Sequence, residues 1–254
     1  MKTVSKIILI IFIIMDKRLA LMTGIDIPIE GCQLVVHQPR IREIAYLGEK
    51  DFFTGAQTIC VNKKMYQGNN ALENTTNFQI FMMIMGNKET IDKKVAVQQI
   101  MSLFFPNYKT IFTPRSIIFN GEGGSIIVDE NNFEMLQESL AEICCLRSNF
   151  DGRGDFNPVD EKAAEIARKL MRGRQIVAEQ KGETNASIFT QYLSTLTVGL
   201  NSMSLEDCMN LTIYQLYDLI ERYRLYVNWD IDIRARLAGG KPEEKVDNWM
   251  KNIH

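Results

Sequence analysis

The spacing of apolar residues along the chain predicts a series of helices. Apolar positions recur at helical intervals over residues 41–60, with one break, and over residues 78–85. The same spacing continues over residues 90–105, where Pro106 ends the pattern. Further helices are predicted after Asn131, over residues 188–198, from a short turn headed by Ser204, and over residues 212–238.

The period changes between residues 108 and 129, where β-branched and aromatic residues predict strands. Residues 116–119 and 125–128 flank a glycine-rich turn at residues 120–124, and residues 110–113 supply a third run. A hairpin turn is favoured over a phosphate-binding loop, because no Lys-Ser or Lys-Thr pair follows the glycines. The expected fold class is α+β, mainly α-helical, with a small antiparallel sheet built around this central hairpin.

Local signals also place the starts of two helices. Residues 33–37 are a short strand candidate, and Pro39 suits the first turn of the helix that follows. The helix over residues 78–85 can be capped by the asparagine or either threonine of residues 74–76.

The first 22 residues differ from the rest of the chain. Lys2 and Lys6 precede an apolar run at residues 7–15, which resembles a secretory signal but lacks a suitable cleavage site. The run is shorter than the roughly 20 residues that span a bilayer. We interpret residues 1–22 as a non-native extension from an upstream start codon, with a targeting segment as the alternative, and expect the folded pattern to begin near Gly24.

A loop rich in Gly, Asn and Asp predicts a boundary between two domains. Residues 149–157 are the expected linker between an α+β N-terminal domain, residues 23–148, and a helical C-terminal domain, residues 158–254. The helix expected after the linker has basic residues over positions 162–181 with glutamates between them. This pattern is typical of a solvated helix face, and a nucleic-acid-binding regulator is the alternative.

The predicted helix over residues 212–238 has two apolar stripes. The first stripe is expected to be buried and comprises Ile213, Leu216, Tyr217, Ile220, Tyr223, Val227, Ile231, Ala235 and Ala238. A second stripe lies about 100° or more away and comprises Leu219, Tyr226, Ile233 and Leu237. A helix with two apolar stripes needs two neighbours, so another polypeptide is expected on the second. The expected partner-binding residues are Leu219, Tyr226, Trp229, Ile233, Leu237, Trp249 and Met250.

Charged residues four positions apart lie between these stripes and are interpreted as surface ion pairs. The pairs are Asp218 with Arg222, Asp230 with Arg234, and Asp232 with Arg236. The D-x-D pattern could suggest a metal site, but residues two apart on a helix point about 200° away from each other and cannot share one ion. Gly239-Gly240 is expected to end the helix, after which Trp249 packs back on the bundle or into a partner.

Composition and charge exclude several classes of protein. The 254 residues have a near-average globular composition, which excludes a collagen-like, disulfide-scaffold or wholly disordered chain. A formal charge of −2 gives no overall attraction to nucleic acid or to an anionic membrane.

Five scattered cysteines without a C-x-x-C pair indicate free thiols in a reducing compartment. Adjacent Cys144 and Cys145 are interpreted as small buried residues, the alternatives being a vicinal disulfide or a metal contact.

No set of residues in the sequence indicates catalysis. The histidines are His37, interpreted as a half-buried strand residue, and His254 at the last position. No G-x-S-x-G or similar motif supplies a nucleophile, and Asp129 and Glu130 suit the start of a helix. We therefore expect no enzyme, with no catalytic, cofactor-binding or metal-ligating residue and no cofactor.

Two stretches of the chain carry a family resemblance. The N-terminal words are Ile27-Pro28-Ile29, Gln38-Pro39-Arg40-Ile41-Arg42-Glu43-Ile44-Ala45-Tyr46-Leu47-Gly48-Glu49 and Phe52-Phe53. The C-terminal words are Leu211-Thr212-Ile213-Tyr214-Gln215-Leu216-Tyr217-Asp218, Asp230-Ile231-Asp232-Ile233-Arg234, Leu237-Ala238-Gly239-Gly240 and Trp249-Met250. Over about a quarter of its length the chain resembles the morphogenesis proteins of tailed bacteriophages, especially tail assembly chaperones.

The resemblance implies a non-enzymatic phage protein in the cytoplasm of the bacterial host cell. This protein would bind the tape measure protein or the tail-tube protein. A homo-oligomer is a further possibility, no nucleic acid is expected, and no membrane is expected unless residues 1–22 are genuine. The alternative functions are a structural virion component, such as a connector or baseplate protein, and the nucleic-acid-binding regulator named above.

Overall fold

A computed structural model describes residues 15–63, 75–146, 187–200, 202–240 and 248–250. This part of the chain is α+β and mainly helical, as predicted. The helices are α1 (Lys17–Thr23), α2 (Ile41–Leu47), α3 (Glu49–Ile59), α4 (Asn77–Gly86), α5 (Ile91–Phe104), α6 (Phe133–Ile143), α7 (Ile188–Gly199), α8 (Leu205–Met209) and α9 (Ile213–Leu237). The strands are β1 (Ile27–Pro28), β2 (Val35–Val36), β3 (Lys109–Thr113), β4 (Ser116–Gly121) and β5 (Gly124–Val128).

Helix α1 shows that the fold includes residues before Gly24. The Asp16 carboxylate caps the helix by accepting the backbone N–H groups of Arg18 and Leu19, and Gly24 ends it in the left-handed conformation. Ala20 and Leu21 are buried, and α1 packs against α9. The expectation that the folded pattern begins only near Gly24 is therefore wrong, because a capped turn of helix is long enough to bury two apolar side chains.

Helices α2 and α3 are the predicted broken helix over residues 41–60. The break is at Gly48, whose φ of +92° is a conformation that favours glycine. The start differs from the prediction, because Pro39 lies before the cap and outside the first turn. The cap residue is Arg40, which is extended and donates its backbone N–H to the Glu43 carboxylate at 2.7 Å.

The centre of the core is the packing of α3 against α5. Phe52 and Phe104 are fully buried, and their rings pack with centroids 6.1 Å apart. Gly55 brings the two helices close together, since a Cβ at this position would lie 2.6 Å from the Ala96 carbonyl oxygen. The crossing therefore requires the absence of a side chain at Gly55.

The predicted hairpin forms the middle and edge of a three-stranded antiparallel sheet in the order β3-β4-β5. Phe119 pairs with Ile126, and the turn follows Gly121. Ile117, Phe119 and Val128 are buried, so one face of the sheet covers the core. β1 and β2 form a separate two-stranded ribbon.

The end of helix α6 places two adjacent cysteines in the core. Cys144 and Cys145 follow the helix as free, buried thiols, in agreement with the prediction.

Gln137, in the middle of α6, is also buried. Its Nε2 donates to the carbonyl oxygens of Ile59 at 2.6 Å and Val61 at 3.0 Å, which satisfies backbone groups at the end of α3.

The segments on either side of the predicted linker share one apolar core. Phe189, Leu196 and Leu216 belong to the same buried cluster as Phe52 and Phe104. Backbone bonding also joins them, because the N–H of Ile41 donates to the carbonyl of Leu211 at 2.9 Å. The predicted linker at residues 149–157, the basic helix over residues 162–181 and the apolar run up to residue 14 lie outside the described residues, so the domain boundaries stay predictions.

In the part of the chain that the structure describes, no helix combines the length and the apolar character needed to cross a membrane.

Candidate protein-binding surface on the last long helix

The first half of α9 is anchored in the core. Thr212 caps the helix, and Gln215 returns a bond to the Thr212 N–H at 2.8 Å. Gln215 Nε2 also donates to the Met22 carbonyl at 2.8 Å, which ties α9 to α1. Ile213 and Leu216 are fully buried. The helix therefore begins at a fixed position in the fold.

The second half of α9 is only partly covered by the described residues. Leu225 is the last residue of the helix that is buried. Ile231, on the side expected to face the core, is 60% exposed, and Ala235 is exposed as well. The expectation that the whole first stripe is buried is wrong, because α9, at about 37 Å, extends beyond the described elements that cover its first half.

The end of α9 is a Schellman motif, as the glycine pair predicted. Gly239 has a φ of +89° and donates its N–H to Arg236, while the N–H of Gly240 donates to Ala235. The chain therefore leaves the helix axis directly after Ala238.

The second half of α9, from Tyr226 to the end of the helix, carries a row of apolar side chains. We call this row the α9 stripe: Tyr226, Trp229, Ile233 and Leu237. At about 100° per residue these four positions fall within an arc of about 80°. Tyr226 is 44% exposed and Leu237 is 83% exposed, whereas Trp229 and Ile233 are partly buried. The stripe is therefore a narrow apolar surface that water reaches.

Three aromatic rings meet at the beginning of the stripe. The Trp249 ring packs against Tyr226 at a centroid distance of 5.6 Å and an angle of 80°, and lies 6.4 Å from Trp229. Tyr226 and Trp229 lie 6.2 Å apart. Arg222 Nη1 donates to the carbonyl oxygen of Trp249 at 2.9 Å. The chain's own Trp249 thus covers part of the stripe.

Ion pairs flank the stripe on both sides. Asp230 pairs with Arg234 at 2.8 Å, and Asp232 pairs with Arg236 at 3.4 Å, as predicted. Each aspartate therefore faces an arginine one turn later on its own side of the helix. Asp218 is not on the surface as expected but is buried, because the first half of α9 is covered on more than one side.

The structure places the seven predicted partner-binding residues in three environments. Leu219 packs against the core. Tyr226, Trp229 and Trp249 form the aromatic cluster, and the neighbouring Met250 is 67% exposed. Ile233 and Leu237 lie farther along the stripe. The sequence analysis missed Arg222 as a contact of Trp249, since 27 positions separate them and no local pattern connects the two.

The surroundings of three of the thiols favour their protonated form. Burial raises the pKa of Cys60 to about 12 and that of Cys145 to about 12, the latter aided by the negative charges of Asp218 and Glu142. Burial and the Asp129 carboxylate raise the pKa of Cys32 to about 11. The thiolate is the nucleophilic form, so these side chains are inert near neutral pH.

His37 connects three elements. It is partly buried, as predicted, but it lies one residue after β2 rather than in a strand. Its Nδ1 lies 3.0 Å from Asp26 and its Nε2 lies 3.4 Å from Glu43, the residue that also accepts the N–H of Arg40. The ring therefore holds β2 to the start of α2. Among the described residues, no group of three or more His, Cys, Asp or Glu side chains is placed to hold a metal ion.

The C-terminal part of the chain matches a protein family. Residues 181–254 match the family model for the YomV second domain, a phage-associated family. The match covers α7, α8, α9 and the aromatic cluster, and it comprises 74 of the 254 residues. No curated protein and no solved structure shows significant similarity to the chain.

Proposed function

We propose that this chain is a non-enzymatic phage tail morphogenesis factor, a tail assembly chaperone that binds the tape measure protein or the tail-tube protein. The observation that carries the proposal is the α9 stripe, which ends in the exposed Leu237 beyond the last buried residue of the helix. The phage-associated family match covers this same region. The resemblance of two stretches to tail assembly chaperones supports the more specific role.

The shape of the stripe favours a helical partner. Apolar side chains at positions i, i+3, i+7 and i+11 are spaced to pack along a second helix. The Asp230–Arg234 and Asp232–Arg236 pairs on the flanks give the rim of the surface alternating charge, which sets the orientation of a partner helix. An apolar helix such as that of a tape measure protein fits this surface.

The proposal is tested by co-expression with the tape measure protein and the tail-tube protein of the same phage genome. We expect one of them to co-purify with the chain. The double variant Ile233→Ser with Leu237→Ser is expected to reduce the recovered partner at least about tenfold, since apolar contacts at the centre of an interface dominate its affinity.

A matched control lies on the same half of the helix. Ile231 is 60% exposed but points about 160° away from the centre of the stripe. Ile231→Ser should leave partner recovery unchanged. Absence of both tail proteins from the purified chain, or equal losses for Ile231→Ser and the stripe variant, would contradict the proposal.

Mass spectrometry of purified virions separates a chaperone from a structural component. A chaperone leaves before the particle is complete, so the chain should be absent or far below the copy number of the tube protein. A stoichiometric amount in the particle would replace the chaperone role with that of a connector or baseplate protein.

A further inference from the structure

The contact of Trp249 with α9 requires the chain to reverse direction. Arg222, which bonds the Trp249 carbonyl, lies about 22 Å back along the helix from Leu237. The Schellman motif at Gly239 and Gly240 turns the chain away from the helix axis. Eight residues lie between Gly240 and Trp249, so the nine steps from one Cα atom to the other can span about 30 Å when extended. The connection is therefore long enough for Trp249 to contact the middle of α9.

Trp249 is recognised through both its side chain and its backbone. Tyr226 meets its ring edge to face, Trp229 lies against it at a tilt, and the Arg222 guanidinium donates to its carbonyl oxygen. Asn248 fixes the turn by accepting the N–H of Met250 at 2.9 Å. This is the recognition of an aromatic residue on a polypeptide segment, not nonspecific collapse of apolar surface.

We propose that Arg222, Tyr226 and Trp229 form a binding site for one aromatic residue of a protein segment, which Trp249 fills in the free chain and a partner's aromatic residue fills after displacing it. This inference rests on the proposed function for the identity of the partner. It adds the chemistry that the partner must present: an aromatic ring and a backbone carbonyl free to accept from Arg222.

The geometry makes Trp249 displaceable. Tyr226 remains 44% exposed with Trp249 in place, and Met250 projects into solvent. A segment tethered by so short a connection has an effective concentration of about 1 mM at its own site. Trp249 therefore excludes weak, nonspecific apolar ligands, whereas a partner that also contacts Ile233 and Leu237 gains enough additional surface to replace it.

The test uses a fluorescent synthetic peptide with the sequence of residues 241–254 and the full-length chain. Fluorescence anisotropy should show the peptide binding to the Trp249→Ala chain, whose site is vacated. Binding to the wild-type chain should be at least about tenfold weaker, because the tethered Trp249 competes. A peptide carrying the same Trp249→Ala change should not bind either chain.

Two further variants locate the site. In the Trp249→Ala background, Tyr226→Ala should weaken peptide binding at least about tenfold, and Ile231→Ala, on the opposite side of the helix, should leave it unchanged. Circular dichroism should show the same helix content for all variants, since these side chains lie outside the buried core.

Three results would overturn the inference. The first is that the peptide does not bind to a folded Trp249→Ala chain, and the second is that it binds equally well to the wild-type and Trp249→Ala chains. The third is that the wild-type chain is a dimer that Trp249→Ala converts to a monomer, because Trp249 would then occupy the site of a second copy. The peptide assay needs no tail protein, so its outcome is separate from the proposed function. If the peptide binds as expected but no tail protein is captured, the site stands and its partner belongs to another class.

Discussion

Glu49, in the first turn of α3, accepts the backbone N–H of Ile188 at 2.9 Å across 139 positions of sequence. The same carboxylate accepts the N–H of Phe189 at 3.3 Å and the hydroxyl of Ser187. The two backbone N–H groups belong to the first turn of α7, where N–H groups have no acceptor inside the helix. A negative charge at this end also stabilises the helix dipole. One side chain thus joins the N-terminal helices to the segment that matches the phage-associated family.

Replacing Glu49 by alanine is expected to destabilise the fold by about 1–2 kcal/mol, because it leaves the first turn of α7 without its acceptor. Urea unfolding followed by circular dichroism measures the change. Glu138→Ala, at an exposed glutamate of α6, is the matched control and should change the free energy of unfolding by less than about 0.5 kcal/mol. Equal effects at both positions would show that the capping contact is unimportant.

Gly55→Ala should destabilise the protein by about 1–3 kcal/mol although alanine is the better helix former. The added Cβ would lie 2.6 Å from the Ala96 carbonyl oxygen and force α3 and α5 apart. Gly86→Ala, at the end of α4, meets no atom within 4 Å and should be neutral or slightly stabilising. A stabilising Gly55→Ala in thermal unfolding would contradict the close crossing of the two helices.

Gln137→Leu is expected to cost about 1–3 kcal/mol, because it removes the donor shared by the Ile59 and Val61 carbonyls in the interior. Chemical denaturation of the variant gives the change directly. The comparison is Gln99→Leu, at an exposed position of α5, which should have little effect. A neutral Gln137→Leu would indicate that water replaces the amide.

Stability should fall as the pH rises above about 9. The folded-state pKa values of Cys60 and Cys145, both about 12, exceed the ordinary value of 9.0, so only the unfolded chain loses these protons between pH 9 and 12. Each thiol then removes up to about 1.4 kcal/mol per pH unit, whereas below pH 9 it contributes no dependence. Burial raises the pKa of Tyr217 and acts in the same direction above pH 10.

Urea unfolding in reductant at pH 8, 9 and 10 measures this slope. Cys60→Ala should reduce it between pH 9 and 10 by the contribution of one thiol. An unchanged slope in that variant, or stability that is constant from pH 8 to 10, would show that the thiols reach solvent in the folded state.

Local chemistry explains which parts of the fold could be predicted from the sequence. The hairpin was predicted correctly because β-branched runs and a glycine-rich turn determine it within about 13 residues. The cap of α4 is Thr76, one of the three residues predicted, and its capping box with Gln79 is equally local. The glycine pair at the end of α9 likewise acts within a single turn.

The remaining features depend on which elements meet, and sequence spacing does not contain that information. Asp218 has the spacing of a surface ion pair but is buried, because α9 is covered on more than one side at that point. Ile231 has the spacing of a core residue but is exposed, because the described elements that cover the first half of α9 end before it. For the candidate site, the apolar stripe was visible in the sequence, whereas the contact of Arg222 with Trp249 was not.

The packing of α1 against α9 has a consequence for synthesis. Leu21 and Leu216 belong to one core although they are 195 positions apart. At a translation rate of about 5–20 residues per second, a nascent chain waits roughly 10–40 s between them. Throughout that interval α9 is not yet available to cover the apolar surface of α1. The ribosome-bound chain can therefore aggregate or bind molecular chaperones of the cell until its last long helix emerges.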